Sequence, residues 1–171
     1  MPGELYDFGQ VRYLTAEAIG APGQRRFRLA IQNDEASASL WMEKEQVAAL
    51  GTAMDQQLVR TRTVRERSPA PDEEIPPLPL NPSVELQVGQ LALGYDEERQ
   101  LFIIQVYSAE ASGEGQPTFG CTATRAQARR CAREISHLMA AGRPRCPLCG
   151  APLDGAHVCP RGNGHAEVRL T

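Results

Sequence analysis

The chain has 171 residues, with 18 basic and 21 acidic side chains and a formal charge of −3. That length fits one ordinary domain, or one domain with a small appendage, and is enough to bury a sizeable core. The mild acidity excludes a polyanion binder acting through net charge, and no apolar run approaches the ~20 residues of a membrane helix.

The first residues, Met1-Pro2-Gly3-Glu4, lack the apolar stretch of a signal peptide. The five cysteines are an odd number, and three of them crowd into the tail, unlike a secreted disulfide framework. The expected location is a reducing cytoplasm, with no membrane partner.

Residues 14–31 read as a hairpin. Leu14, Ala16 and Ala18 alternate with polar neighbours, Gly20-Ala21-Pro22-Gly23 makes the turn, and Phe27, Leu29 and Ile31 alternate on the return. A third strand over 38–42 runs into a helix with Val47, Leu50, Met54 and Leu58 on one face. Residues 61–83 are rich in proline and acid, as in a linker; a docking peptide for an aromatic groove is the alternative.

The order then recurs. Residues 84–93 form a strand whose alternation shifts phase at Gly89, which predicts a bulge. Residues 95–100 turn, and Phe102, Ile104 and Val106 return. A third strand carries Phe119, Cys121 and Ala123. Thr124 with Gln127 three residues later is a capping box opening a second helix, with Ala128, Cys131, Ile135 and Met139 buried and Gly142 and Pro144 as its stop.

The helices align, Val47 with Ala128, Leu50 with Cys131, Met54 with Ile135 and Leu58 with Met139, although any two amphipathic helices can be paired this way. The expected class is α+β: two repeated β-β-β-α units, antiparallel sheets with one helix each, followed by a C-terminal zinc knuckle. The core spans 1–142, with halves 10–60 and 84–142; the tail spans 143–171.

The tail reads Cys146-Pro147-Leu148-Cys149-Gly150, then His157-Val158-Cys159-Pro160. A Cys-x-x-Cys-Gly turn aims two thiolates at one point, and a structural Zn(II) needs four such ligands in a tetrahedron. His157 and Cys159 are two apart, so on extended chain they point the same way. The expected ligands are Cys146, Cys149, Cys159 and His157, with His165 as the alternative to His157. A redox role is the competing reading of Cys-x-x-Cys, but such motifs open a helix after a strand. Cys121 and Cys131 read as small core residues, and His137 as a surface side chain.

Charge is uneven. From Arg125 onward, arginines outnumber acids, and Arg129, Arg130, Arg133, Arg143, Arg145 and Arg161 make a basic surface that could take an acidic or phosphorylated partner. Arg25 and Arg26 after Gly23 could hold a phosphate; a salt-bridged hairpin end is the plainer alternative.

Gly20-Ala21-Pro22-Gly23-Gln24-Arg25, Val88-Gly89-Gln90-Leu91-Ala92-Leu93, and Gly142-Arg143-Pro144 running into the tail motif and Asn163-Gly164 together resemble a bacterial family of conserved hypothetical proteins, common in actinobacteria and their relatives. The resemblance implies the cysteine pair with His-x-Cys, which supports His157. It also implies a genomic association with a histidine-phosphatase-like and a phosphoinositide-kinase-like protein. No P-loop and no nucleophile with its base stands out in the sequence. The expected role is an adaptor or ligand-sensing module in a phosphoryl-signalling pathway. Nucleic-acid binding through the zinc knuckle and arginines is one alternative, and an enzyme acting on a phosphorylated small molecule is another.

Overall fold

The computed structural model describes residues 6–21, 23–62, 79, 81–110, 115–142, 146–151, 153, 157–161 and 167–168. The expected linker therefore falls almost wholly outside the described residues, as do Arg143, Arg145 and His165.

The chain runs β1 (Tyr6–Gln10), β2 (Tyr13–Ile19), β3 (Arg26–Gln32), β4 (Ser37–Met42), α1 (Lys44–Arg60), β5 (Val84–Asp96), β6 (Leu101–Ser108), β7 (Phe119–Thr124), α2 (Arg125–Ala140), then the short strands β8 (His157–Val158) and β9 (Glu167–Val168). Period-two alternation makes the strands: Leu14 and Ala16 in β2, Phe27, Leu29 and Ile31 in β3, and Phe119, Cys121 and Ala123 in β7 are buried. The β2–β3 turn needs Gly20, whose φ is +110° and whose Cβ, if it had one, would lie 2.9 Å from the Gln24 carbonyl oxygen. The bulge expected at Gly89 is present as a break in register between Val88 and Gln90.

Instead of separate antiparallel sheets, the strands form one seven-stranded sheet in the order β1-β7-β6-β5-β4-β3-β2. Two ladders, β4·β5 and β1·β7, are parallel. The physical reason is the crossover: the chain leaves β4 through α1 and returns in the same direction, which a tight turn cannot do. The five-residue β1, which buries Phe8, was not expected from the sequence.

The two edge strands, β1 and β2, are consecutive in the chain and separated only by Val11 and Arg12. Val11 N–H donates to Thr122 O of β7 at 2.9 Å, while Arg12 N–H donates to Gln32 O of β3 at 2.8 Å. One bent stretch thus links the two edge strands, through Val11 on the β7 side and Arg12 on the β3 side. β5 bends in the same manner: Val84 to Gln87 pair with β4, and Val88 to Asp96 pair with β6.

Each helix is tied to such a bend by the glutamine at its third position. Glu43 N–H donates to Gln46 Oε1 at 2.8 Å, and Gln46 Nε2 donates to the Val88 and Gly89 carbonyls at 3.3 and 3.1 Å. Thr124 N–H donates to Gln127 Oε1 at 2.8 Å, and Gln127 Nε2 donates to the Val11 and Arg12 carbonyls at 2.9 and 2.7 Å. One amide thereby accepts from the N–H of the helix-capping residue and donates to two backbone carbonyls at the bend.

The helices also hold each other. Arg125 at the start of α2 donates to Leu58 O at 3.2 Å and to Thr61 Oγ1 at the end of α1, and Lys44 at the start of α1 has its Nζ beside Gly142 after α2. A cation near a helix C-terminus is favourable there. Val47, Leu50, Met54 and Leu58 are buried on α1; Ala128, Cys131, Ala132 and Ile135 are buried on α2, whereas Met139 is only partly covered. Gly51 admits Ile135: a Cβ there would sit 2.6 Å from Ile135 Cγ2. A side chain as buried as Leu40 or Phe119 contributes roughly 1.5–3 kcal/mol by leaving water.

Candidate metal centre

The tail builds its site from a tight turn and a short hairpin. Cys146 N–H donates to Ala151 O at 2.9 Å, and Gly150 N–H donates to Cys146 O at 2.9 Å, so the turn closes on itself, and both of its thiols fall in one cluster. β8 pairs antiparallel with β9, His157 opposite Val168 and Val158 opposite Glu167, which holds the second ligand pair in extended chain. The side chain of Val158 is exposed, as expected for the residue between two ligands that point the other way.

The ligand atoms of Cys146, Cys149, His157 and Cys159 all lie within 4.8 Å of one another. Cys149 Sγ is 3.2 Å from His157 Nε2, so the imidazole turns that nitrogen toward the sulfurs. A tetrahedral ion with metal–sulfur bonds of ~2.3 Å holds its sulfurs roughly 3.8 Å apart, so the cluster is compatible with such an ion. Three thiols and one imidazole are a soft donor set suited to zinc rather than to calcium or magnesium.

The electrostatics suit a cation. Cys146 is drawn down to about 6, chiefly by the backbone N–H of Cys149, then that of Leu148. Cys149 is raised instead: the Ala151 N–H pulls it down, but desolvation and the sulfurs of Cys146 and Cys159 outweigh that pull. One negative charge is thus favoured within the turn and a second is opposed, the situation a divalent ion relieves.

The site has a small buried cluster of its own, formed by Cys146, Leu153 and Cys159 with Cys149 against them. Cys121 and Cys131, by contrast, belong to the sheet core. Burial pushes both thiols up to about 12, with the Asp7 charge adding to Cys121 and the Glu134 charge to Cys131, and a thiol kept protonated is neither ligand nor nucleophile. His137 is exposed in the last turn of α2.

The arginines singled out in the sequence are spread over several elements. Arg25 donates to Ala141 O at 3.3 Å, at the end of α2, and the Arg26 guanidinium lies 4.0 Å from the centre of the Trp41 ring. Arg129 and Arg130 are half-buried and Arg133 exposed on α2; Arg161 is exposed two residues after Cys159. The sequence reading missed the setting of Trp41, whose Nε1 donates to Glu85 at 2.6 Å while Arg26 stacks on its ring. Only the placement of Arg26 opposite the end of β2 and beside β4 could have signalled it, and that needs the register. It also missed an open groove lined by Gln10, Arg99, Gln100, Leu101, Thr124, Arg125 and Ala126.

The chain belongs to the protein family of unknown function DUF3090, which matches residues 6–159 and so takes in both the sheet core and all four cluster residues. No curated protein and no solved structure matches the chain.

Proposed function

We propose that Cys146, Cys149, His157 and Cys159 hold one structural Zn(II) ion, and that the protein is a zinc-fastened adaptor or ligand-sensing module in a phosphoryl-signalling pathway. The single observation behind the metal is the convergence of four soft donors within 4.8 Å, two of them buried sulfurs. Four protein ligands complete a tetrahedron and leave no open position for a substrate, which favours a structural over a catalytic ion. The adaptor role draws on the basic surface, of which exposed Arg161 lies two residues after Cys159, and on the resemblance described above. Its partner would be acidic or phosphorylated, with a histidine-phosphatase-like or a phosphoinositide-kinase-like protein the first to try.

We further infer that the core is a duplicated unit. The order strand, strand, strand, helix recurs. Gln46 and Gln127 make the same three side-chain bonds in their respective halves. Lys44 and Arg125 reach equivalent helix ends. The unit in this reading begins with the bent strand, so that β1 and β2 together correspond to β5.

Elemental analysis after dialysis tests the metal: about one zinc per chain is expected, lost on Cys159→Ser and kept on Cys131→Ser. Absence of zinc with ordinarily reactive Cys146 and Cys149 would sink it. The adaptor role is tested with zinc-loaded and zinc-stripped protein as bait for the two candidate partners, with and without nuclease. Retention by the loaded form alone, weakening with salt, is expected; retention that nuclease abolishes would point to nucleic acid instead.

A further inference from the structure

We propose that the Cys146–Cys149 pair is an oxidant-sensitive release for the metal: a hydroperoxide converts the two thiolates to a disulfide, and the ion leaves. This rests on the metal reading above and adds a regulation to the same site. The observation that carries it is an asymmetry of access. Cys146 and Cys159 are 2% and 3% exposed, whereas Cys149 is half-buried and follows Leu148, which is 51% exposed. Cys149 is thus the less covered member of the pair in this turn, and Cys146 the more covered one.

Geometry supplies the second step. Cys146 lies three residues from Cys149 in the same turn, and their sulfurs are within 4.8 Å. A disulfide of ~2.05 Å closes by movement of that turn, which is held by two backbone bonds, Gly150 to Cys146 and Cys146 to Ala151. The remaining cysteines of the sheet core cannot compete, because Cys121 and Cys131 are buried and protonated.

The chemistry balances with hydrogen peroxide as the oxidant. The Cys149 sulfur attacks one peroxide oxygen; the S–O bond forms, the O–O bond breaks, and hydroxide departs. The Cys146 thiolate then attacks the Cys149 sulfur; the S–S bond forms, the S–O bond breaks, and a second hydroxide departs. The two thiolates lose two electrons, and the peroxide takes them with two protons to become two waters. Zinc keeps its charge throughout, since it has no redox chemistry of its own. Left with His157 and Cys159, it dissociates.

The structural consequence follows from what fills the tail. Among the described residues, three of the four side chains in its apolar cluster are the cysteines Cys146, Cys149 and Cys159, and its hairpin strands are two residues each. Such a hairpin has no stability of its own. Oxidation therefore unfastens the tail and leaves the sheet core standing.

The test uses the full zinc-loaded chain, graded hydrogen peroxide and a coloured zinc indicator. Mass spectrometry of differentially alkylated cysteines then identifies the bonds. The expected result is release of the bound zinc together with a Cys146–Cys149 disulfide, intact thiols at Cys121 and Cys131, and recovery on adding dithiothreitol and zinc. Zinc retained at peroxide doses that fully oxidise free glutathione would overturn the switch alone, as would release accompanied by a disulfide that uses Cys159. A chain isolated without zinc overturns the metal reading and the switch together.

Discussion

In the sheet core, Phe102, Phe119, Leu29, Ile104 and Met54 are fully buried, and strands from both halves of the chain meet two helices in one apolar cluster. In the tail, the buried set among the described residues is Cys146, Leu153 and Cys159, one aliphatic side chain with two thiols. The first region excludes enough apolar surface to offset its conformational entropy; the second does not, and its order has to come from coordination. Each region handles its cysteines accordingly. Cys131 is a small buried side chain in the same apolar cluster as Ile135, whereas Cys146 is held by backbone N–H groups that favour its thiolate.

Stripping the metal should separate the two regions most sharply. A chelator is expected to abolish hydrogen-exchange protection over residues 146–168 while α1, α2 and the seven strands keep theirs. Deprotection of the whole chain at once would break the comparison and make the tail part of one cooperative unit. Next in size is Phe119→Ala, expected to destabilise the core by about 3–5 kcal/mol in denaturant unfolding, with the zinc content of the folded fraction unchanged. Gly51→Ala is smaller. Its new methyl meets Ile135 Cγ2 at 2.6 Å, and the helices must part, at a cost of roughly 1–3 kcal/mol. If that substitution also loosened zinc, the regions would be coupled through α2.

The last effect is confined to alkaline pH. Cys121 and Cys131 have their native thiols raised from 9.0 to about 12. The unfolded chain therefore releases their protons first, so their contribution to stability is full below pH 9 and is lost as pH rises toward 12. The midpoint of thermal unfolding of the zinc-free chain should fall across that window, and Cys131→Ala should flatten the fall.

The parts of this structure that were legible in the sequence are those with local signatures. The β2–β3 hairpin has alternation and a glycine turn, α2 has Thr124 with Gln127, and the tail has its ligand spacing. The way the halves join was not legible. Parallel pairing of β4 with β5 leaves no turn residue to read, and β1 is five residues with one buried side chain, Phe8. Its partner, β7, lies more than a hundred positions away, so no window of sequence contains both. Gln127 was visible as a capping residue only; its second task, bridging carbonyls at a bend, and the matching role of Gln46 appear once the bends exist. The clustering of Cys146, Cys149, His157 and Cys159 was legible because it follows from residue type and spacing. The settings of Arg25 and Arg26, at the end of α2 and over Trp41, depend on side-chain reach across elements.

The ladder between β1 and β7 also sets a schedule for the growing chain. Tyr6 is among the first of these residues to leave the ribosome, yet its partner is Phe119. At about 5–20 residues per second, on the order of ten seconds separates the two. During that interval β2, β3 and β4 can pair as a local meander, but the edge that β1 and β7 will close stays open, with Phe8 and the inner face of β2 without cover. Nascent chains arrested before residue 119 should therefore bind a hydrophobic dye and a holdase chaperone, and chains arrested well past Thr124 should not.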